Sequence, residues 1–264
     1  MNNLDTLIEN GLVVTENEIG HLNIGIKDGK IAYLGDENLN AEFKINASDL
    51  IVLPGGIDPH VHVDQPSGDD VIMADNFQSA TKSAAAGGNT TILPFAMQIK
   101  GQSLRKCVED YHKKAQGNMY IDTSFHLIIS DPTPQVLGQE LPALSKDGYT
   151  SFKVFMTYDD LVLNDKELIE VFDVAKQLKT LVMVHAEGYD SIKYLSDKFE
   201  KEGKTAPYYH APSRPQIVER EATHRAISHA QIVDIPLMIV HVSGEEALNQ
   251  IRWAKDKGIK VFSE

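Results

Sequence analysis

The sequence predicts an α/β fold, because short apolar runs alternate with helix-length amphipathic segments over most of the chain. Seven runs rich in β-branched and aromatic residues follow residue 54, and strands of this kind are typical of a parallel sheet that is covered on both faces. Residues 1–52 contain no convincing helix and are predicted to form strands. The seven strands favour a (β/α)8 barrel whose last unit is missing, although the count alone leaves a small open sheet as an alternative.

The N-terminal segment is predicted to contain strands joined by tight turns. Asp28-Gly29 is a strong hairpin signal between the alternating segments of "LNIGIKDGKIAYLG", and "KINASDLIVLP" is predicted to be one further strand. We place the first domain at residues 1–52 and the barrel domain, incomplete at its C-terminus, at residues 53–264.

Within residues 53–264, capping residues indicate where several predicted helices begin or end. Asn164 with Glu167, and Ser243 with Glu246, are spaced as helix N-caps with their capping-box partners. Gly258 is placed where a helix should stop.

Composition and charge exclude several kinds of partner and several classes of protein. The 264 residues carry a formal net charge of −13, which argues against nucleic acid or an anionic membrane as a partner. The single cysteine, Cys107, excludes an internal disulfide and lies on the apolar side of a predicted helix, so we expect a core residue. The N-terminus lacks a secretory pattern, and no apolar run approaches the ~20 residues of a membrane helix, so we expect a cytoplasmic protein.

Four of the ten histidines come at or near the ends of predicted strands. They are His60 and His62 in "IDPHVHV", His185 in "LVMVHAE" and His241 in "LMIVHVS". Alternate residues of a strand share a face, and the carboxyl ends of barrel strands are where active sites are built. A lone histidine is usually structural, but four imidazoles converging from three strands predict a metal site, since neutral imidazole is a good zinc ligand.

A lysine stands inside a predicted core strand, "TSFKVFM". Burial of Lys153 would lower the pKa of its ammonium group and leave a neutral, reactive amine. Such an amine can take up CO₂ and become a carbamate, whose two oxygens can bridge two metal ions. The alternative is a lysine whose side chain reaches solvent from the strand end.

The remaining histidines are predicted to have no catalytic role. His126, in a predicted strand, is expected to be a core residue or to support the site indirectly. The sequence has no nucleophile elbow, no phosphate-binding loop and no dinucleotide fingerprint after a strand, which excludes the corresponding enzyme classes.

The segments "PGGIDPHVHVD", "SFKVFMTY", "VHAE" and "IVHVS", in this order and at these separations, resemble the cyclic amidohydrolases. The resemblance is to the dihydropyrimidinase and hydantoinase branch, to which "HAPSRPQIVEREATHRAI" is also similar, and it extends over essentially the whole chain. It implies a metal-dependent hydrolase barrel. For the N-terminal strands it implies part of a small β-sandwich that a C-terminal segment completes.

The resemblance implies a binuclear site with two divalent metal ions, usually zinc. His60 and His62 would bind one ion, and His185 and His241 the other. Lys153, carboxylated by CO₂, would bridge them together with a hydroxide that attacks a cyclic amide.

Tyr158 would match the tyrosine that hydrogen-bonds the substrate carbonyl and its developing oxyanion, although its position alone equally suits a surface aromatic. The implied reaction opens a dihydropyrimidine or a 5-substituted hydantoin to an N-carbamoyl amino acid. Allantoinase or dihydroorotase activity is the alternative within the class. The implied partner is a small cyclic amide, with no nucleic acid and no membrane, and the implied full-length assembly is a homo-oligomer, a tetramer.

One group that the family uses is missing from the sequence. In the family an aspartate after the eighth strand is the general base and also binds the first metal, but Asp58 and Asp64 lie on the first strand and do not match it. The sequence stops on the seventh predicted strand. We therefore expect a fragment of a longer enzyme with little or no activity by itself; a natural truncation and a non-catalytic scaffold relative are the alternatives.

Overall fold

The computed structural model describes residues 4–67 and 71–264. The chain divides into two compact units, Met1–Gly56 and Ile57–Glu264. Strands make up the first unit, and strands alternate with helices in the second. Across the described residues, no helix combines the length and apolar character needed to cross a bilayer.

The N-terminal unit is a five-stranded sheet. Its strands are β1 (Leu4–Val14), β2 (Ile19–Lys27), β3 (Lys30–Gly35), β4 (Ala41–Asn46) and β5 (Ile51–Val52). β1 pairs antiparallel with β2 and parallel with β4 and β5, and β3 lies beyond β2. The predicted hairpin turn is confirmed, because Asp28 and Gly29 have φ values of 51° and 71°, as a type I′ turn requires.

The prediction of a single strand over "KINASDLIVLP" is wrong, since a turn divides it into β4 and β5. The side chain of Asn46 accepts hydrogen bonds from the backbone and hydroxyl of Ser48, and Asp49 has a φ of 64°. Asparagine and aspartate favour such turns through local hydrogen bonds and tolerance of positive φ, which outweighs the apolar pattern here.

The second unit is a sheet with helices between successive strands. Its strands are β6 (Gly56–Val61), β7 (Asn89–Met97), β8 (Asp122–Thr123), β9 (His126–Ile128), β10 (Ser151–Phe155), β11 (Leu181–His185), β12 (Leu237–Ile239) and β13 (Val261–Ser263). Its helices are α1 (Phe77–Ala86), α2 (Leu104–Ala115), α3 (Leu141–Lys146), α4 (Asp165–Leu178), α5 (Tyr189–Lys201), α6 (Gln216–Val233) and α7 (Glu245–Asp256).

The strands are neighbours in chain order, β6-β7-β9-β10-β11-β12-β13, with the short β8 beside β7. The pairs from β7 to β13 are parallel. All seven predicted strands therefore form, in the order of a partial (β/α) barrel.

Side chains alternate between two layers along these strands. In β10, Phe152 and Val154 belong to the main apolar core, which includes residues of the helices, whereas Phe155 belongs to a second, smaller cluster. Lys153 lies on the face of Phe155 by this alternation. The second cluster consists of Phe95, Ile128, Phe155, Met183 and Val240. It forms an apolar base on the face of the sheet that carries the strand-end histidines.

Two of the predicted helix boundaries are confirmed. The side chain of Asn164 caps α4 by accepting from the Glu167 amide (3.0 Å), and the Glu167 carboxylate accepts in return from the Asn164 amide (2.8 Å). Gly258 follows α7 with a φ of 77°, a left-handed conformation that favours glycine.

The predicted capping box of Ser243 with Glu246 is wrong. The N-cap of α7 is Gly244, and the N–H groups of Ser243 and Gly244 donate to the carboxylate of Glu219 in α6, at 2.7 and 2.8 Å. An acceptor 24 residues earlier in the chain thus replaces the local cap, and Glu246 pairs instead with Arg220.

Cys107 is confirmed as a core residue. It is buried with Leu104, Val108 and Tyr111 on one face of α2. Burial raises the pKa of its thiol to about 12, so the reactive thiolate is scarce at neutral pH.

Candidate active site

The strand-end histidines lie at the carboxyl ends of three strands. His60 is the penultimate residue of β6 and His62 follows its end, while His185 is the last residue of β11 and His241 comes two residues after β12. Val61, between the first pair, packs against the main core. His60 and His62 therefore share the opposite face, as their spacing predicts.

His241 reaches the same place through a break in the strand pattern. Ile239 belongs to the main core and Val240 to the second cluster, so strict alternation would turn the next side chain back toward the main core. His241 instead has a φ of 41°, a left-handed conformation that is uncommon for a residue with a side chain.

The four rings form one cluster. The ring centroid of His60 lies 5.6 Å from that of His62 and 5.5 Å from that of His241. His185 and His241 are closer, with centroids 4.5 Å apart and 3.0 Å between Nδ1 of the first and Nε2 of the second. Nδ1 of His60 contacts the carboxylate of Glu264. The structure thus brings both predicted pairs together.

The environment of two of these rings, His62 and His241, lowers the pKa of the imidazole. Burial, followed by the nearby His185 and Lys153, lowers the pKa of His241 to about 3. Burial also lowers the pKa of His62. At pH 7 both rings therefore carry a nitrogen lone pair, which is the form that binds a metal.

Lys153 is fully buried, and its Nζ has no hydrogen-bond partner among residues 4–67 and 71–264. The Nζ lies 5.1 Å from the ring centroid of Phe95 and 5.3 Å from that of Phe155. Phe95 also contacts His60 and His62, and Phe155 stacks on His185. The predicted burial is confirmed and the solvent-reaching alternative is wrong. Burial lowers the pKa of Lys153 to about 7, against the opposing effect of the Glu264 carboxylate.

Tyr158 lies beside the cluster, with its ring centroid 5.1 Å from that of His185. It has a φ of 73°, and such strained conformations persist where the surroundings enforce them. The next residue, Asp159, is held on both sides: its carboxylate accepts from the Tyr189 hydroxyl and its carbonyl from Lys100 Nζ. The loop that carries Tyr158 is therefore anchored to two neighbouring segments.

A cavity of about 370 Å³ opens beside the cluster. Its lining includes Tyr158, His185 and His241, together with Glu187 and Arg214. This volume is in the range of sites for small organic molecules.

Over residues 4–67 and 71–264, no group of three or more histidine, cysteine, aspartate or glutamate side chains is arranged to hold a metal ion as it stands. The donor set nevertheless fits a pair of divalent ions. Imidazole nitrogens are good ligands for zinc, and His62 and His241 have lowered pKa values that keep them neutral at pH 7. Lys153 is a buried amine that carboxylation would turn into an oxygen donor.

Residues 51–262 match the amidohydrolase family. The chain belongs to this family. It is 46% identical over 262 residues to the D-hydantoinase of Ralstonia pickettii, an alignment that covers 99% of this chain and 57% of the relative. A solved D-hydantoinase structure matches with a TM-score of 0.95 at 46% identity, covering 98% of this chain and 57% of that one. A dihydropyrimidinase structure from Brevibacillus agri NCHU1002 matches with a TM-score of 0.93 at 40% identity, covering 98% and 56%.

This amidohydrolase chain thus spans little more than half the length of the relatives that it matches. The resemblance drawn from the motifs is confirmed at the level of the family and of the hydantoinase and dihydropyrimidinase relatives.

Three polar residues that contact the histidines were missed by the sequence reasoning, and one of them is Glu264, which contacts His60. The Gln65 amide oxygen lies 2.7 Å from Nδ1 of His62, and a Glu187 carboxylate oxygen lies 2.7 Å from Nε2 of His185. Gln65 and Glu187 each follow their histidine by two or three residues, and this proximity to a candidate ligand was the available signal.

His126 supports the cluster indirectly, as expected. It is buried in β9, and its Nε2 lies 2.8 Å from the carbonyl of Pro59, next to His60, while its Nδ1 contacts the Ser151 hydroxyl. A carbonyl can only accept, so Nε2 carries the proton. His126 therefore links β6, β9 and β10.

Proposed function

We propose that the protein containing this chain hydrolyses the cyclic amide bond of dihydropyrimidines or 5-substituted hydantoins and yields N-carbamoyl amino acids. The observation that carries the proposal is the fully buried Lys153 amine, which has no hydrogen-bond partner in the described part of the chain and lies beside a cluster of four imidazoles at the strand ends. The names of the relatives, D-hydantoinase and dihydropyrimidinase, support this substrate class over allantoin or dihydroorotate.

We assign His60 and His62 to one divalent ion and His185 and His241 to the other, with zinc as the expected metal. Lys153, once carboxylated, would contribute oxygens to both. When bound, such ions supply Lewis acidity, which lowers the pKa of water and polarises an amide carbonyl.

Lys153 is suited to carboxylation because its pKa of about 7 leaves much of the side chain as the neutral amine at physiological pH. The nitrogen lone pair attacks the carbon of CO₂ and forms a C–N bond, while the electron pair of one C=O π bond moves onto oxygen. One proton leaves the nitrogen for solvent. A cation thereby becomes an anion with two oxygens, in a place where an unpaired ammonium is costly.

Tyr158 is suited to act as a hydrogen-bond donor. Burial raises the pKa of its phenol, and the nearby Glu187 carboxylate adds to this effect. The phenol therefore stays protonated near neutral pH and would donate to the oxygen that gains charge during attack on the amide. The anchored loop keeps the ring beside His185 and the cavity.

Hydrolysis also needs a general base that takes up the proton of the attacking hydroxide. In the described residues no aspartate side chain contacts the four imidazoles: Asp58 accepts from the backbone N–H of His60, and Asp64 pairs with Lys114. We propose that the 264 residues by themselves have little or no hydrolase activity, and that activity belongs to the whole protein.

The test is a ring-opening assay of the whole protein loaded with zinc and bicarbonate, with dihydrouracil, a 5-substituted hydantoin, allantoin and dihydroorotate as substrates. We expect turnover of the first two, loss of that turnover in Lys153→Met, and no loss in the control Lys166→Met, whose side chain is 83% exposed. Turnover of only allantoin or dihydroorotate would contradict the proposed substrate class and favour the allantoinase or dihydroorotase alternative. Zinc-independent binding without turnover of any substrate would favour a non-catalytic relative.

A further inference from the structure

Gln65 is held in one orientation between two partners. Its amide nitrogen lies 3.1 Å from the carbonyl oxygen of Phe95, and its amide oxygen lies 2.7 Å from Nδ1 of His62. Phe95 is fully buried, and its ring stacks on His62 with centroids 4.8 Å apart and planes 18° apart. The same residue thus holds both the imidazole and the amide that contacts it.

This orientation decides which ring nitrogen of His62 carries the proton. The Phe95 carbonyl can only accept, so the NH₂ end of Gln65 must face it and the amide oxygen must face the ring. An amide oxygen can also only accept, so Nδ1 of His62 is protonated. In the neutral imidazole the lone pair then lies on Nε2.

Glu187 has the opposite effect on His185. Its carboxylate accepts from Nε2 at 2.7 Å, which leaves the lone pair on Nδ1. That Nδ1 lies 3.0 Å from Nε2 of His241. The Glu187 carboxylate is also approached by Arg214, at 3.8 Å, so it is fixed from the side of the cavity as well.

We infer that Gln65 and Glu187 are positioning residues that set opposite tautomers, so that His62 presents Nε2 and His185 presents Nδ1 to the metal site. The inference rests on the proposed function for the identity of the ligand that these nitrogens meet. It adds an asymmetry between these two histidines, because His62 is supported by a neutral amide and His185 by a carboxylate. Such partners orient a ligating histidine and tune its basicity.

Histidine tautomers can be read directly by long-range ¹H–¹⁵N NMR of the full chain, labelled with ¹⁵N-histidine, free of metal and at pH 8. We expect the pattern of an Nδ1 proton for His62 and of an Nε2 proton for His185, assigned by comparison with His62→Asn and His185→Asn. In Gln65→Leu, we expect His62 to lose its preference for the Nδ1 proton while His185 keeps its pattern. An Nε2 proton on His62 in the unmodified chain would overturn the inference, even if the variant does not fold.

Zinc titration provides the second readout. We expect Gln65→Leu to weaken one of the two zinc sites by about 10- to 100-fold. The matched control is Gln177→Leu, which removes an amide that donates to Asp173 on the exposed face of α4 and should leave the zinc affinity unchanged. Unchanged zinc affinity in Gln65→Leu would also contradict the positioning role. If the tautomers are as expected but the unmodified chain binds no zinc, the proposed function fails and the tautomer assignment stands.

Discussion

The two histidine pairs reach the same site by different means. His60 and His62 stand two residues apart at one strand end, and the period of a β-strand is enough to place them on one face. His185 and His241 come from two strands, and the second reaches the cluster through a left-handed φ of 41°. Two histidines on one strand are positioned by the regular strand backbone. Histidines on two strands depend here on the left-handed backbone at His241 and on the contacts that stabilise that conformation.

His62 and His185, one from each pair, also differ in the charge of their hydrogen-bond partners. An amide, Gln65, accepts from His62, and a carboxylate, Glu187, accepts from His185. Hydrogen bonding lowers the pKa of Glu187, and His185 is the largest contributor, so this partner is an anion at neutral pH. His185 therefore has a stronger acceptor than His62, and its pair also includes the distorted backbone at His241. In the first pair the carboxylate contact is made by His60, with Glu264.

Removal of either pair has the largest expected effect on metal binding. With bicarbonate present, we expect the double variant His60→Asn/His62→Asn and the double variant His185→Asn/His241→Asn each to bind one zinc fewer than the unmodified chain. Elemental analysis after gel filtration measures the content, with His21→Asn as a control outside the cluster. Full zinc content in either double variant would remove that pair from the site.

The burial of Lys153 makes the free energy of unfolding depend on pH. Its pKa is about 7 in the folded chain and its ordinary value is 10.5, so between these values the unfolded state binds more protons. Stability therefore rises with pH by about 1.4 kcal/mol per pH unit across this window, and below pH 7 the full penalty of the buried ammonium remains. We expect Lys153→Met to be more stable than the unmodified chain near pH 7, with a difference that shrinks toward pH 10.

Urea unfolding at pH 7, 8 and 9 in CO₂-free buffer measures this difference. The exposed variant Lys166→Met should follow the unmodified chain at every pH. Parallel pH profiles for Lys153→Met and the unmodified chain would show that the folded-state pKa of Lys153 is not lowered.

Carboxylates also hydrogen-bond the backbone near each pair. We expect their contributions to the free energy of unfolding to differ, but by less than the effects above. The Glu219 carboxylate accepts from two N–H groups just after His241, whereas Asp58 accepts from one N–H, that of His60, at 3.1 Å. We expect Glu219→Ala to lower the free energy of unfolding by about 1–3 kcal/mol and Asp58→Ala by about 1 kcal/mol or less. Urea unfolding of both variants at one pH tests this order, and an equal or reversed effect would contradict it.

Regular features of the chain were predictable from sequence. The strand period places His60 and His62 together, and the capping pair of Asn164 and Glu167 marks the start of α4. The burial of Lys153 was undecided between a core and a solvent-reaching side chain, and its position on the inner face of β10 settles it.

Features that depend on distant partners were not predictable. The Ser243 and Glu246 spacing has the form of a capping box, but Glu219 from another helix binds the N–H groups in its place. Likewise, the positive φ of His241 has no decisive sequence marker, since histidine is enriched at positive φ but adopts it only in a minority of cases. Both depend on tertiary contacts that a local pattern cannot contain.

The central claim is that a carboxylated Lys153 joins the two pairs into one binuclear site. The most direct measurement is the zinc content per chain after loading with and without bicarbonate, for the unmodified chain and for Lys153→Met. We predict two zinc ions per unmodified chain with bicarbonate, fewer without it, and no bicarbonate dependence in Lys153→Met. Zinc content that is the same with and without bicarbonate, or two zinc ions retained by Lys153→Met, would contradict the claim.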